Sequence, residues 1–336
     1  MKNRGIIKRL IMGKPREKDF TEDDLPATRR KQFGFLMRTR FGVMFRFNLL
    51  SALFFVPLAV WELLVSGYVS NYLADMTVAE QLSKALYLSL LRYGTEIPLF
   101  MLGFVGLTGA FYIARRISWG QSVKLLKDFG TGIKQSYKQF LLIGLVTGIV
   151  NLIANYIIDY SVLSLTVGNS LLWTFVLVLA ALFMLIFAVA VMFALCCSSL
   201  YNITFGRLFL GAFTMTFKTL FSSVGVCLLS LLPLLVFMFM PWAFVRIIGY
   251  CVAAVFSIGF AVTMQTVYSF GVFDRFINEK QYPDFVRMGL RGSGSDETDE
   301  DAEADGDEIG DESFENSADA TENGDMQSAP TEGGEQ

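Results

Sequence analysis

The chain has 336 residues, 53% of them hydrophobic, and a mean hydropathy of +0.48, which makes it too apolar for a soluble domain of its size. It contains no histidine, which excludes His-based acid–base relays and His-ligated metals. The net charge of −3 joins two opposite parts: 17 acidic and no basic residues from Ser293 onward, and 28 basic against 14 acidic residues before it.

The four cysteines (Cys196, Cys197, Cys227, Cys251) fall inside apolar runs without a C-x-x-C, so neither a disulfide framework nor a metal site is expected. No Ser-Lys pair and no paired carboxylates stand at membrane depth. The expectation is therefore a non-enzymatic protein with no cofactor.

The first segment, 1–46, carries 13 basic and 5 acidic side chains. Phe33, Phe35, Phe41 and Phe45 interleave with Arg38, Arg40 and Arg46. Beside an apolar span this pattern reads as an interfacial anchor rather than a nucleic-acid surface. The polar start also speaks against a signal peptide. Span one covers about 47–67, with Trp61 and Tyr68 as an aromatic belt and Glu62 near its outer end.

Thr77-x-x-Glu80 then reads as a capping box opening a helix over 78–93, expected on the outer surface rather than as an extension of the next span. Span two, about 97–114, carries Gly103, Gly106 and Gly109 as a helix-packing face of small residues. No strand precedes these glycines, so they do not form a nucleotide fingerprint. The span ends at Arg115-Arg116.

The arm over 118–139 places Leu126, Phe129, Ile133, Tyr137 and Phe140 at helical spacing, with Lys124, Lys127, Lys134 and Lys138 elsewhere. It is a candidate membrane-surface helix or partner-docking helix. Span three, about 140–158, sets Thr147, Asn151, Asn155 and Asp159 on one face with Gly144 and Gly148. These polar groups are read first as interhelical hydrogen bonding, with Asp159 at the outer interface, and second as a solute path.

No charged residue occurs from Tyr160 to Gly206. A short outer turn over 161–170 leads to span four, about 171–197, and a second inner arm over 201–219 carries Arg207 and Lys218. Span five, about 220–240, is expected to bend at Pro233. A tight turn at Met240-Pro241-Trp242 precedes span six, about 244–268, from which Arg246 snorkels outward. Ile117-Ser118-Trp119-Gly120 and Ile203-Thr204-Phe205-Gly206 hint at duplication of the inner arms. A juxtamembrane segment, 269–291, is followed by an acidic tail, 292–336, too poor in apolar residues to fold.

Of the 28 basic residues, 25 lie on one side of this arrangement, with Lys84, Arg92 and Arg246 on the other. By the positive-inside rule both termini are cytoplasmic. The fold class expected is an all-α polytopic bundle of six transmembrane helices in the plasma membrane. It should carry cytoplasmic amphipathic connecting helices and a disordered tail.

The run Gly106-Leu107-Thr108-Gly109-Ala110-Phe111-Tyr112-Ile113-Ala114-Arg115-Arg116, then Asp128-Phe129, then Lys134-Gln135-Ser136-Tyr137-Lys138-Gln139, resembles the signature of the YesL-like family of small bacterial membrane proteins, a domain of unknown function. Leu107 and Gly109 stand where that family carries a proline-containing turn. The similarity extends over about 38–284. The resemblance implies no catalytic residues, and it implies an accessory role in carbohydrate transport.

Two functions follow as expectations. One is a membrane accessory or scaffold whose partners, besides the bilayer, are a transporter complex or a second copy of itself. In that case Phe129→Asp would break a complex while leaving the protein inserted. The alternative is an autonomous small-solute transporter or channel lined by the Thr147, Asn151, Asn155 and Asp159 face.

Overall fold

A computed structural model describes residues 19–74, 78–167, 171–201, 203–238 and 243–292, with some side chains in these helices, 233–255 among them, outside the description. The segment 1–18, Thr77 of the capping box, the turn at 240–242 and the tail from Ser293 therefore lie outside the described residues, as do the side chains of Glu80, Pro233, Arg246 and Cys251. Eight helices of more than one turn are described: α1 (Arg29–Thr39), α2 (Phe41–Ala74), α3 (Val78–Ser118), α4 (Leu125–Val167), α5 (Leu171–Leu200), α6 (Phe205–Lys218), α7 (Leu220–Met238) and α8 (Ala243–Phe273). No strand occurs among the described residues.

Five stretches are long and apolar enough to cross a membrane: Phe41–Val65, Lys84–Ser118, Leu125–Leu165, Leu171–Leu200 and Phe256–Gln281. A sixth passes only if the pair α6–α7, bent by 99°, counts as one span. The reason for the bend is local. The Thr219 N–H closes α6 on the Met215 carbonyl at 3.0 Å, and its hydroxyl meets Ser223 Oγ at 2.7 Å on the first turn of α7. The second inner arm is thus a separate amphipathic helix, which buries Leu208, Ala212 and Met215 and exposes Leu210 and Phe217.

The helix over 78–93 is continuous with span two and is not a separate surface helix. Pro98 lies inside α3 without breaking it. A proline lacks only one ladder hydrogen bond, and neighbouring helices hold the axis in place. Similarly, the first arm is the opening of α4, which runs unbroken from Leu125 through span three. Its turns before Phe140 extend about 22 Å along the helix axis.

The helices α3 and α4 form an antiparallel hairpin, and small residues set its spacing. A Cβ on Gly144 would lie 3.0 Å from Met101 Cα, and one on Gly148 would lie 3.0 Å from Ile97 Cα. At these two points the backbones approach as closely as the chain permits. On the other side of α3, Gly103 lies under the Phe55 ring and Gly106 under Phe54, while Gly109 faces Phe129 of α4. The glycine stripe therefore seats three aromatic rings from this same chain.

The helix α8 meets α2 at a buried polar contact, Gly259 N–H to Asn48 Oδ1 at 2.8 Å. Helix α1 buries Gln32 and Leu36, and Thr28 caps its start. Phe33 meets Phe260 and Phe41 meets Phe256 with ring centroids 5.4 and 5.5 Å apart, so this part of the aromatic, basic segment packs on α8. An apolar face is covered by whatever apolar surface the fold brings to it, and here that is a helix as well as lipid.

Candidate functional site

Two polar constellations stand out, one at each end of the α2–α3–α4 unit. The basic end contains Arg115 and Arg116. Asp128 Oδ2 accepts the Lys124 N–H at 2.6 Å and so caps the start of α4, while its Oδ1 pairs with Arg116 at 3.0 Å. Arg115 donates to the Ser199 carbonyl and lies over the Tyr112 and Trp119 rings at 4.8 and 5.1 Å. Gln139 accepts from Ser198 Oγ at 2.6 Å and donates to the Ile203 carbonyl at 2.9 Å.

The residues of the signature stretch thus tie the α3–α4 turn to the α5–α6 connection. The two short motifs that suggested duplication do different work. Ser118 closes α3 and Gly120 takes φ +74 in the following turn, whereas Phe205 and Gly206 open α6.

The C-terminal described segment completes this end. Arg29 pairs with Asp274 at 2.7 Å and donates to Gln32 Oε1 and the Met288 carbonyl, each at 3.0 Å. Burial pushes the Arg29 guanidinium below its usual range, and Asp274 pulls it back. Gln32 donates to the carbonyls of Ser118 (2.7 Å) and Gly289 (3.2 Å). Gly289 sits at φ +84 against the Ser118–Trp119 backbone, where a side chain has no room. Tyr201 donates to Asn278 Oδ1, and burial raises its phenol.

The arm residues divide by face. Phe129 is buried, 6% exposed, between Gly109 and Phe54. Lys124, Lys127, Lys134 and Lys138 are exposed, with Leu126 and Tyr137 beside them. Phe129 therefore belongs to the interior, and the outward face is cationic.

The opposite end holds the second constellation. Glu62 of α2 forms an ion pair with Arg92 of α3, and Trp61 Nε1 donates to the Arg92 carbonyl at 3.4 Å. Arg92 Nε also lies 3.7 Å from Glu96 Oε1, one turn along. Glu96, only 4% exposed, accepts from Asn151 Nδ2 of α4 at 2.9 Å. Asn155 donates to Asn151 Oδ1 at 2.7 Å, and Thr147 bonds back to the Ile143 carbonyl at 2.7 Å. Asp159 accepts from Ser89 Oγ at 2.7 Å.

The sequence offered no paired carboxylates at membrane depth. The fold instead gathers Glu62, Arg92 and Glu96 from two helices against the Asn151–Asn155 face of a third. Arg92 and Glu96 were the residues missed. The available signal was their i,i+4 spacing inside an apolar stretch.

These bonds rank two substitutions. Asn155→Leu removes contacts to Asn151 alone and should cost about 1 kcal/mol. Asn151→Leu also strips the amide donor from the Glu96 carboxylate and should cost about 2 kcal/mol or more. Thermal unfolding of both variants in one detergent checks the order, and equal losses would refute it.

No group of three or more Cys, Asp or Glu with metal-holding geometry occurs among the described residues. Cys196, Cys197 and Cys227 are free and buried. No family model matches the chain, and comparison with curated proteins and with solved structures gave no match.

Proposed function

We propose that this chain is a non-enzymatic, multi-pass accessory of a membrane solute-transport system, with its basic end in the cytoplasm. One observation carries the reading. Asn151, Asn155 and Asp159 of the polar face on α4, the natural lining of a path, accept or donate hydrogen bonds within the chain. Through Glu96 and Ser89 they fasten α4 to α3. Polar groups at membrane depth that are engaged with one another set helix register rather than line a conduit.

The orientation rests on the count of basic residues in the connecting segments. The solute class, carbohydrate, rests on the resemblance to YesL-like proteins. The surface offered to a transporter is the exposed cationic face of the arm, Lys124, Lys127, Lys134 and Lys138, presented on a helix held rigid by Asp128 and Phe129.

The test is purification of the tagged chain from native membranes in mild detergent, beside a variant with Lys124, Lys127, Lys134 and Lys138 all changed to Glu. A transporter recovered in near-equal amount with the native chain, and at least tenfold depleted with the variant, is expected. The variant itself should still run as a folded, monodisperse species. Vesicles reconstituted with the native chain alone should show no solute flux above empty vesicles. Flux that disappears in Asn155→Leu would replace this reading with an autonomous transporter.

A further inference from the structure

The Glu96 carboxyl group poses a hydrogen-bonding problem that the network around it does not solve. Its Oε2 accepts from Asn151, but its Oε1 is buried and has no hydrogen-bond donor. The nearest cation, Arg92, approaches that oxygen only to 3.7 Å, because its guanidinium is directed at Glu62. The carboxyl groups of Glu62 and Glu96 converge on this one guanidinium, whose Nε lies 3.3 Å from Glu62 Oε1 and 3.7 Å from Glu96 Oε1. Two carboxylates are both acceptors, so holding them side by side against a single cation is favourable only when one of them bears a hydrogen.

The charges facing the pair sharpen the point. Arg92 on the same helix as Glu96 is the cation that contacts both carboxyl groups, Glu62 comes from α2, and α4 carries Asp159 nearby, held by Ser89. One guanidinium thus faces two carboxyl groups, in a region too apolar to tolerate an uncompensated charge.

We propose that Glu62 and Glu96 form a proton-binding site, with a single proton held between their carboxyl groups and exchanged with water through Glu62. The exposures fit the direction of exchange. The Glu62 side chain is 34% exposed and that of Glu96 is 6% exposed, so one partner reaches the surface and the other is enclosed. On uptake, an O–H bond forms to a carboxylate oxygen at the expense of one in a hydronium ion, and the pair gains one positive charge. Release to water reverses both changes.

The proton joins α2 to α3, and its loss leaves two anions against one guanidinium at that interface. The α2–α3 contact at this end therefore responds to the pH on its own side of the membrane. This site stands apart from the accessory reading: it holds whether or not a transporter binds the arm.

The experiment is difference infrared spectroscopy of the full chain in lipid nanodiscs, following the carbonyl band of protonated carboxylic acids as pH is raised from neutral. Native protein should show such a band, shifted in heavy water and lost at high pH. Glu96→Gln and Glu62→Gln should each abolish it, because the remaining carboxylate then pairs with Arg92 alone. Asp159→Asn should keep it.

A folded native protein without the band at neutral pH overturns the proposal, as does a band that survives in both Gln variants. Replacing potassium by sodium or by an organic cation at constant pH should leave the band unchanged. A band that collapses on adding one metal cation would mean that the pair binds that ion instead. If either variant fails to fold, the native titration decides alone.

Discussion

Phe129→Asp is expected to unfold the basic end of the α3–α4 hairpin rather than to release a partner. Phe129 lies on an amphipathic segment, where an apolar face is ordinarily assigned to lipid or to a docking protein. In the fold its ring fills the space over Gly109 and meets the Phe54 ring at 6.3 Å between centroids. Loss of a buried Phe costs about 4 kcal/mol, and an unpaired carboxylate in the same space adds to it. Asp128, one residue before, holds both the α4 cap and Arg116, so a second anion beside it also weakens that pairing.

The measurement is apparent Tm and monodisperse yield in detergent for Phe129→Asp against Leu126→Asp. Leu126 is exposed on the same helix and should be nearly neutral. Two variants of equal stability would show that Phe129 does not belong to the interior.

Arg29→Met should be the most damaging change to a charged residue in the described chain. Arg29 links four partners across the basic end: Asp274, Gln32, the Met288 carbonyl and, at 5.6 Å from its ring centroid, Phe270. Its side chain is 16% exposed and that of Asp274 is 14% exposed, so removing the guanidinium strands a carboxylate that water scarcely reaches. Breaking a pair of this kind costs about 3–5 kcal/mol, most of it the penalty on the abandoned partner.

The double variant Arg29→Met with Asp274→Asn removes that penalty. It also spares the contact to Asn278, since an amide oxygen still accepts from Asn278 Nδ2. The double variant should therefore be more stable than Arg29→Met alone, by roughly 1–3 kcal/mol of coupling. Additive losses in unfolding measurements on all three variants would refute the pairing.

Which parts of this architecture could be read from the chain depends on the range over which each property is set. The apolar spans are local sums over some twenty residues, so α2, α3, α4 and α5 are visible in composition alone. The acidic pairing is not local. Glu62 is separated from Arg92 by 30 positions and Glu96 from Asn151 by 55, and nothing in the intervening residues states the register between helices. Arg92 counted only among the outer basic residues, because a charge at the edge of an apolar stretch is ordinarily placed in water, and Glu96 gave no signal of its own. Held against Glu62 and Asn151, they become part of the interior.

The continuity of α3 through Pro98 has a similar cause. Proline marks a break by propensity, and tertiary contacts on both sides of it outweigh that preference.

By itself, the sequence determined that this is an all-helical chain with several segments apolar enough for a bilayer. It also determined that a basic amphipathic stretch joins two of them, because hydropathy and helical periodicity are properties of neighbouring residues. Only the tertiary structure decided that the glycine stripe seats Phe54, Phe55 and Phe129, that α6 and α7 part at 99°, and that two carboxyl groups meet against Arg92. Those outcomes depend on how far one helix slides along another, and small residues on one helix and rings on its neighbour fix that distance when the two surfaces interlock.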